Sequence, residues 1–427
     1  MSDLNPLKII NFCKGSIVSF IYAVAVLTFN ASAHECHWSF MNNAIFLRLS
    51  HVIVNVAIYL QMQTSSHFSS SSPHSFDGSL TFQNWLYSCI DAAITCYLIY
   101  RIRYKYVQGP NPIGLKQHGC MENKVVLITG ANTGIGIETA KEMYNLGATV
   151  ILACRSEKKA MSAIEEIQHA YPSTTVATVP PNKKLYFLPL DLSDLSSVRN
   201  AVKHFQTFDL PSLDILINNA GVLMGQHQKS KDGYELMMAC NHLGHFLLTQ
   251  LLLPTMRQNK TPNSLEPARV ITLTSSTYKL ASCLDLDDLM CEKSREYTLF
   301  GQYAQSKLAN ILFTTELARL EEIREQKSSS ILQNDRRIKA YAVHPGLVRT
   351  DVTKNLPLWL RAGNYCFAFF IATLQKTPAA GAYTSLYCAI SNEIYDKSGS
   401  YFVNSEVQQL YDCGLDVTVR DQKETHD

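Results

Sequence analysis

Apolar and polar positions divide this chain in two. Over residues 1–105 the apolar positions fall in long, nearly uncharged runs, whereas from Lys124 onward they fall in short β-rich blocks separated by stretches of helical spacing. The blocks 125–128, 149–154, 185–190, 213–217, 270–273 and 338–343 read as strands. Between the first two, Ile137, Ala140, Met143, Tyr144 and Leu146 recur at helical spacing, and residues 194–205 and 242–256 do the same further on. Each strand block runs into small or polar residues, which is where open α/β sheets bind their ligands. The alternation predicts an α/β fold, a doubly wound parallel sheet, as one domain over 122–412 because no linker-like stretch interrupts it. Residues 413–427 form a polar tail.

The first part of the chain has a different character. Only seven of the chain's 38 basic and 36 acidic residues lie in its first hundred positions. Twenty residues without a formal charge separate Lys14 from Glu35, a length that suits a bilayer-spanning helix. Ala31-Ser32-Ala33 leaves a cleaved signal as a rival, weakened by the lack of a strongly basic start. The apolar stretch 52–60 is too short to span alone. Eight serines between Ser65 and Ser79 mark a linker. The apolar stretch from 82 is interrupted by Asp91 and followed by Arg101, Arg103 and Lys105, a basic flank that places the downstream segment on the cytosolic side. Asp91 is costly at mid-bilayer, so this helix is interfacial or paired, with packing on the globular body as the alternative. The chain thus divides into an apolar extension with a membrane helix (1–63), a Ser-rich linker (64–81), an anchor helix with its basic flank (82–105) and the body. The number of spans stays open.

Composition narrows the function classes. A net charge of +2 gives no electrostatic footprint for nucleic acid. The 12 cysteines include no Cys-x-x-Cys pair, and Cys154, Cys240 and Cys388 sit in apolar runs as small core residues. His34-Glu35-Cys36-His37 has no second ligand cluster at zinc-finger spacing and reads as a polar flank; no metal site is expected.

The block at 125–128 leads directly into Thr129-Gly130-Ala131-Asn132-Thr133-Gly134-Ile135-Gly136, then a helix, then a strand. This is the βαβ setting of a dinucleotide-binding turn. Gly130 permits the turn, Gly134 the approach of a pyrophosphate to the backbone, and Gly136 close packing of helix on strand, with the helix N-terminus facing the phosphates. The second strand closes on Arg155, 19 residues past Gly136, with Lys158 and Lys159 nearby. An acid there would bind a free ribose 2′-hydroxyl, whereas a guanidinium matches a 2′-phosphate by charge and by its fork of donors. NADP(H) is favoured over NAD(H).

Further on, Tyr303 and Lys307 are four apart at the start of a helical run and so share a face. A phenol with a pKa near ~10 is a poor base at neutral pH, and a neighbouring ammonium favours its ionised form. With Asn218-Asn219-Ala220-Gly221, a strand-end Ser276 and Pro345-Gly346-x-Val348-x-Thr350 in the same order, residues 122–412 resemble a short-chain dehydrogenase/reductase with a Rossmann-type sheet. Asn241-His242-Leu243-Gly244-His245-Phe246, Ser306-Lys307-Leu308-Ala309-Asn310 and Lys376-Thr377-Pro378 resemble the membrane-associated retinol dehydrogenase branch of that family.

The resemblance implies an oxidoreductase acting on a lipophilic alcohol/carbonyl pair, retinoid- or isoprenoid-like. Tyr303 is then the general acid/base, Lys307 lowers its pKa and holds the nicotinamide ribose, Ser276 orients the substrate oxygen, and Asn241 supports a proton relay to Lys307. Ser275, one residue early, is the weaker serine. Cofactor contacts fall on Gly130, Asn132, Thr133, Gly134, Ile135, Gly136, Arg155, Asp191, Leu192, Asn219, Ala220, Gly221, Tyr303, Lys307, Pro345, Gly346, Val348 and Thr350, with Asp191 near the adenine and Thr350 at the carboxamide. The branch and the anchor together point to the endoplasmic reticulum, with a mitochondrial membrane as the alternative and the catalytic domain on the cytosolic side of the basic flank, and the family allows a homodimer.

Other features lie outside that pattern. Nothing in it explains residues 1–80. The acidic stretch Asp285–Asp288 reads as a solvated loop, and His242 and His245 as packed helix-start residues rather than metal ligands. The aromatic, apolar stretch between Thr350 and Lys376 suits a lipophilic ligand or a membrane surface. Two other readings remain: a catalytically idle NADP(H)-binding sensor or scaffold, against which all four proton-transfer residues speak, and an NAD-dependent steroid-type dehydrogenase, which turns on Arg155.

Overall fold

The apolar run at the head of the body makes β1, Val125–Thr129, and all of its residues are buried, as in a strand covered on both faces. The structure, a computed structural model, describes residues 108–109, 111, 121–171, 184–258, 266–293, 296–327, 335–349 and 375–410. The expected membrane segments and linker of residues 1–105, Thr350, the apolar stretch after it and the tail from 413 lie outside the described residues.

After β1 come α1 (Gly134–Asn145), β2 (Thr149–Cys154), α2 (Glu157–Ala170), β3 (Leu185–Pro189), α3 (Leu195–Gln206) and β4 (Ile215–Asn218). A helical stretch Leu236–Met238 opens into a π turn, Ala239–Leu243, and continues as α4, Gly244–Arg257. Then follow β5 (Ala268–Leu273), a 3-10 turn (Ser276–Leu280), α5 (Leu299–Lys327), β6 (Ile338–His344), α6 (Pro378–Ile390), β7 (Tyr401–Val403) and β8 (Glu406–Gln408). The eight-stranded sheet runs β3-β2-β1-β4-β5-β6-β7-β8, parallel from β3 to β7. This is the doubly wound α/β architecture that the pattern predicts.

Alternation along the strands fills both faces. Val126 and Ile128 enter one apolar cluster with α1, α2 and α6, while Val125 and Leu127 enter another with α3, α4 and α5. The helical stretch Leu236–Arg257 is long and apolar enough to cross a bilayer, but its Leu248, Leu252 and Met256 pack in the second of these cores. The pattern does not foretell the closing hairpin, where β8 pairs antiparallel with β7 across Asn404 and Ser405 at φ of 52° and 66°. Positive φ at both central residues is what a two-residue hairpin turn demands.

Arg269, near the start of β5, is a buried cation with neutral partners. Its guanidinium donates to the Cys388 and Ser391 carbonyls at 2.9 and 2.7 Å, and to Asn392 Oδ1 and the Tyr395 hydroxyl at 2.8 and 2.9 Å. It thereby satisfies carbonyls at the C-terminus of α6, where the helix dipole also favours a positive charge. Arg269→Met should cost about 3 kcal/mol and lower Tm by about 5 °C, since it strands those carbonyls in the interior. Thermal unfolding followed by circular dichroism checks this; an unchanged Tm would show that the carbonyls find other donors.

Candidate active site

The C-terminal ends of β1 and β4 meet at one hydroxyl. Thr129 Oγ1 accepts the backbone N–H groups of Asn219 and Ala220, both at 2.9 Å, and the Asn219 side-chain amide donates to the Thr129 carbonyl at 2.8 Å. Gly130 follows at φ +65°, where a Cβ would also meet Ala220 Cα at 3.1 Å. At Gly136 a Cβ would lie 2.3 Å from the Gly130 carbonyl oxygen and 2.7 Å from Asn219 Nδ2, so the position has no room for a side chain. Helices α2, α3 and α6 are capped by the side chains of Ser156, Asp194 and Thr377. Helix α1 is not: Thr133 makes no capping hydrogen bond and no acid occupies the first turn. Its N-terminal end, with Gly134 and Ile135, presents N–H groups and positive dipole, a cradle that fits a pyrophosphate.

Arg155 is exposed just past the end of β2. Asp191 and buried Leu192 follow β3, with the Asp191 carboxylate accepting the backbone N–H and the hydroxyl of Ser193 at 2.9 and 2.6 Å. Past β6, Val348 bridges in parallel to Lys376, and both Val348 and Ile135 pack against the bare backbone of Gly381. This brings Val348, with Pro345 and Gly346 just before it, to the glycine loop. Asn132, Thr133, Asn219, Ala220 and Gly221 lie along the same edge, while Thr350 lies outside the described residues.

Tyr303 and Lys307 stand on α5 beside the end of β5. The Lys307 ammonium sits 5.5 Å from the Tyr303 ring centroid and donates to the Leu273 carbonyl at 3.1 Å. Burial pushes Lys307 down to about 8. Burial also pushes the Tyr303 phenol up to about 12, against a hydrogen bond from Ser275 that favours its ionised form. One expectation needs correction. The serine beside Tyr303 is Ser275, not Ser276: the Ser275 Oγ folds into the turn, accepting the Thr277 N–H at 3.2 Å, while Ser276 opens the 3-10 turn and is exposed.

Asn241 lies in the π turn, fully buried. Its side-chain oxygen accepts the Val222 N–H at 2.8 Å, and its amide donates to the Val222 carbonyl and to Ser306 Oγ, both at 3.1 Å. Its backbone carbonyl accepts from His245 Nδ1 and from the Asn310 amide, each at 3.1 Å. The motif around Lys307 contains Asn310, but its spacing alone does not reveal this contact. Helical spacing shows only that Asn310, three residues past Lys307, shares its face. His242 and His245 are packed residues as expected, hydrogen-bonded to Asn310 and Thr129. The acidic stretch is not merely a solvated loop, because Asp288 is buried and accepts the N–H groups of Glu292 and Lys293 at 2.7 and 3.1 Å.

Comparison with known proteins agrees with this geometry. A family profile described as short chain dehydrogenase matches residues 124–281. The chain is 37% identical to retinol dehydrogenase 14 of Homo sapiens over 309 residues, 70% of this chain and 84% of that one. It is 39% identical to retinol dehydrogenase 11 of Homo sapiens over 67% of this chain and 79% of that one. It is 37% identical to polyprenol dehydrogenase of Homo sapiens over 66% and 78%.

Gly136→Ala tests the cradle. The added methyl must displace the Gly130 carbonyl, so affinity for a dinucleotide should fall more than about tenfold, as measured by titration with NADPH fluorescence. Unchanged affinity would mean that the loop does not hold the ligand.

Proposed function

The chain belongs to the short-chain dehydrogenase family, in its retinol dehydrogenase-like branch, and on that premise we propose that it moves hydride between NADP(H) and a lipophilic alcohol/carbonyl pair at a membrane. That it is an oxidoreductase using a nicotinamide cofactor follows from the family. The observation that carries the finer reading is the meeting of Tyr303, Ser275 and Lys307 at the end of β5, beside the uncapped helix of the glycine loop.

When bound, the nicotinamide ring supplies or takes up the hydride; the chain's own residues supply orientation and the proton. Tyr303 gives its phenolic proton to the substrate oxygen during carbonyl reduction, and takes one back during alcohol oxidation. A phenol held near 12 stays protonated at neutral pH, the form that reduction uses. Ser275 has one hydroxyl proton, which it gives to the substrate oxygen when substrate is bound, orienting it beside the Tyr303 phenol, and to the phenol itself when the site is empty. Lys307 stabilises the phenolate from across the ring and holds the ribose on the nicotinamide side. Asn241 fixes the turn against which Lys307 is set. Arg155, exposed beside the adenosine end, favours a 2′-phosphate and hence NADP(H) over NAD(H).

The substrate class rests on the names of the relatives, which are dehydrogenases of retinol and polyprenol, and on the apolar stretches within residues 1–105 and between Thr350 and Lys376. Attachment through residues 1–105 with the body in the cytosol fits the basic flank at Arg101, Arg103 and Lys105, and the endoplasmic reticulum rests on the retinol dehydrogenase-like branch.

In the full-length protein in detergent, NADPH-dependent reduction of retinoid and isoprenoid aldehydes should vanish in Tyr303→Phe while NADPH still binds. Ser275→Ala should lose about a hundredfold in kcat and Ser276→Ala less than about twofold. Equal losses at the two serines would sink the assignment of Ser275. NADPH binding with no turnover on any aldehyde would favour the sensor reading. Arg155→Ala should lower the preference for NADPH over NADH by about tenfold, read from the two Kd values. An unchanged ratio would remove Arg155 from cofactor selection.

A further inference from the structure

Lys307 does not stand alone on the carbonyl that receives it. Leu273, the last residue of β5, offers one carbonyl oxygen to two donors, Lys307 Nζ and Asn310 Nδ2, both at 3.1 Å. The same Asn310 nitrogen reaches the Asn241 carbonyl at 3.1 Å, and Asn310 Oδ1 lies 3.0 Å from His242 Nδ1. Asn310 is buried, so the orientation of its amide follows by accounting. Carbonyls only accept, so the nitrogen faces Leu273 and Asn241 and uses both of its N–H groups there. The oxygen therefore faces His242, and His242 Nδ1 carries the proton it donates. Burial and the Lys307 charge both hold His242 in its neutral form, for which this single-proton tautomer is available.

We propose that Asn310 is a positioning residue for Lys307: oriented by His242, its amide ties the Leu273 carbonyl under the lysine to the Asn241 carbonyl in the π turn. This inference rests on the assignment of Lys307 to the nicotinamide-side ribose. The bridge is three-pointed, linking β5, the π turn before α4, and α5. Loss of the amide leaves two buried carbonyls each short of a donor and lets Leu273 and the π turn move independently. The lysine would then keep its helix position but lose the fixed acceptor that aims its ammonium. His242 acts only through Asn310, held in place by Phe246 and Phe313 with ring centroids 6.1 and 6.2 Å away.

The test separates aiming of Lys307 from general weakening of the fold. In the full-length protein in detergent, Kd is measured for NADPH and for 2′,5′-ADP, which carries only the adenosine half. Asn310→Leu should weaken NADPH binding about tenfold, as for one lost charge-assisted hydrogen bond, and leave 2′,5′-ADP within about twofold. Its kcat should fall at least as far, and His242→Phe should shift both quantities in the same direction. The double variant should be no worse than Asn310→Leu alone, because the two act in series. Should Asn310→Leu fail to fold, His242→Phe carries the affinity comparison by itself. Equal weakening of both ligands, unchanged NADPH affinity, or additive effects in the double variant would each overturn the inference. Wild-type protein that binds both ligands but reduces no aldehyde would sink the catalytic reading while leaving this comparison intact.

Discussion

The hydroxyl of Thr129 is the joint on which the catalytic edge depends. It accepts two backbone N–H groups, from Asn219 and Ala220, and so uses both of its lone pairs. One proton remains to be placed. His245 Nε2 lies at 2.8 Å and the Ile217 carbonyl at 3.4 Å, so the proton goes to His245. That ring nitrogen must then be bare, and His245 Nδ1 carries the hydrogen it donates to the Asn241 carbonyl. A charged imidazole would put a donor against an oxygen with nothing left to accept. Burial, which pushes His245 down to about 3, agrees with that requirement. From the end of β1, a directed chain of hydrogen bonds therefore reaches the π turn without a single titrating group at neutral pH.

The π turn is what makes the arrangement possible. An extra residue in the turn Ala239–Leu243 shifts the register of the helix, and such turns gather at functional sites for this reason. Asn241 can then point its side chain back at Val222 while its carbonyl faces Asn310 and His245. The two histidines, three apart, serve two different strand ends: His245 reaches Thr129 on β1, and His242 reaches Asn310 and through it Leu273 on β5. The sheet edge that would hold the cofactor and the edge that holds the lysine are thus braced by one helix start.

Strand and helix periodicity made the architecture legible, because buried parallel strands are continuous apolar runs and the glycine loop has no room for side chains. Tyr303 and Lys307 were legible because helical spacing alone puts them on one face. What escaped was what depends on local rotation. Ser275 and Ser276 are neighbours of one type, and only the onset of the 3-10 turn decides which one faces Tyr303. A π turn leaves no mark in apolar spacing, so the contact between Asn241 and Asn310, 69 positions apart, could not be read. Asp288 looked solvated by composition, yet it closes its own loop by accepting backbone N–H groups, a role acids take wherever a turn leaves donors unpaired. The hairpin of β7 and β8 is short and follows a helix, without the alternation that betrays longer strands.

Charge is sorted along the strands. At the N-terminal end of the sheet two ion pairs form beside Arg269 and its neutral partners: Lys124 with Glu266 at 2.7 Å, and Arg336 with Asp214 at 2.8 Å, whose other oxygen accepts the Val125 N–H. At the opposite end, Lys307 and Lys376 are buried against neutral oxygens, the Leu273 carbonyl and Asn404 Oδ1, with no carboxylate partner among the described residues. Burial brings each down to about 8, so each is charged at neutral pH by a narrow margin. Pairing them with acids would have stabilised the fold but cancelled the field. Without carboxylate partners beside an uncapped helix, they make the edge positive, a field that suits a polyanion. An anion placed there favours their charged forms, so ligand binding and lysine protonation reinforce one another, and stability given up at this edge is returned when the site fills.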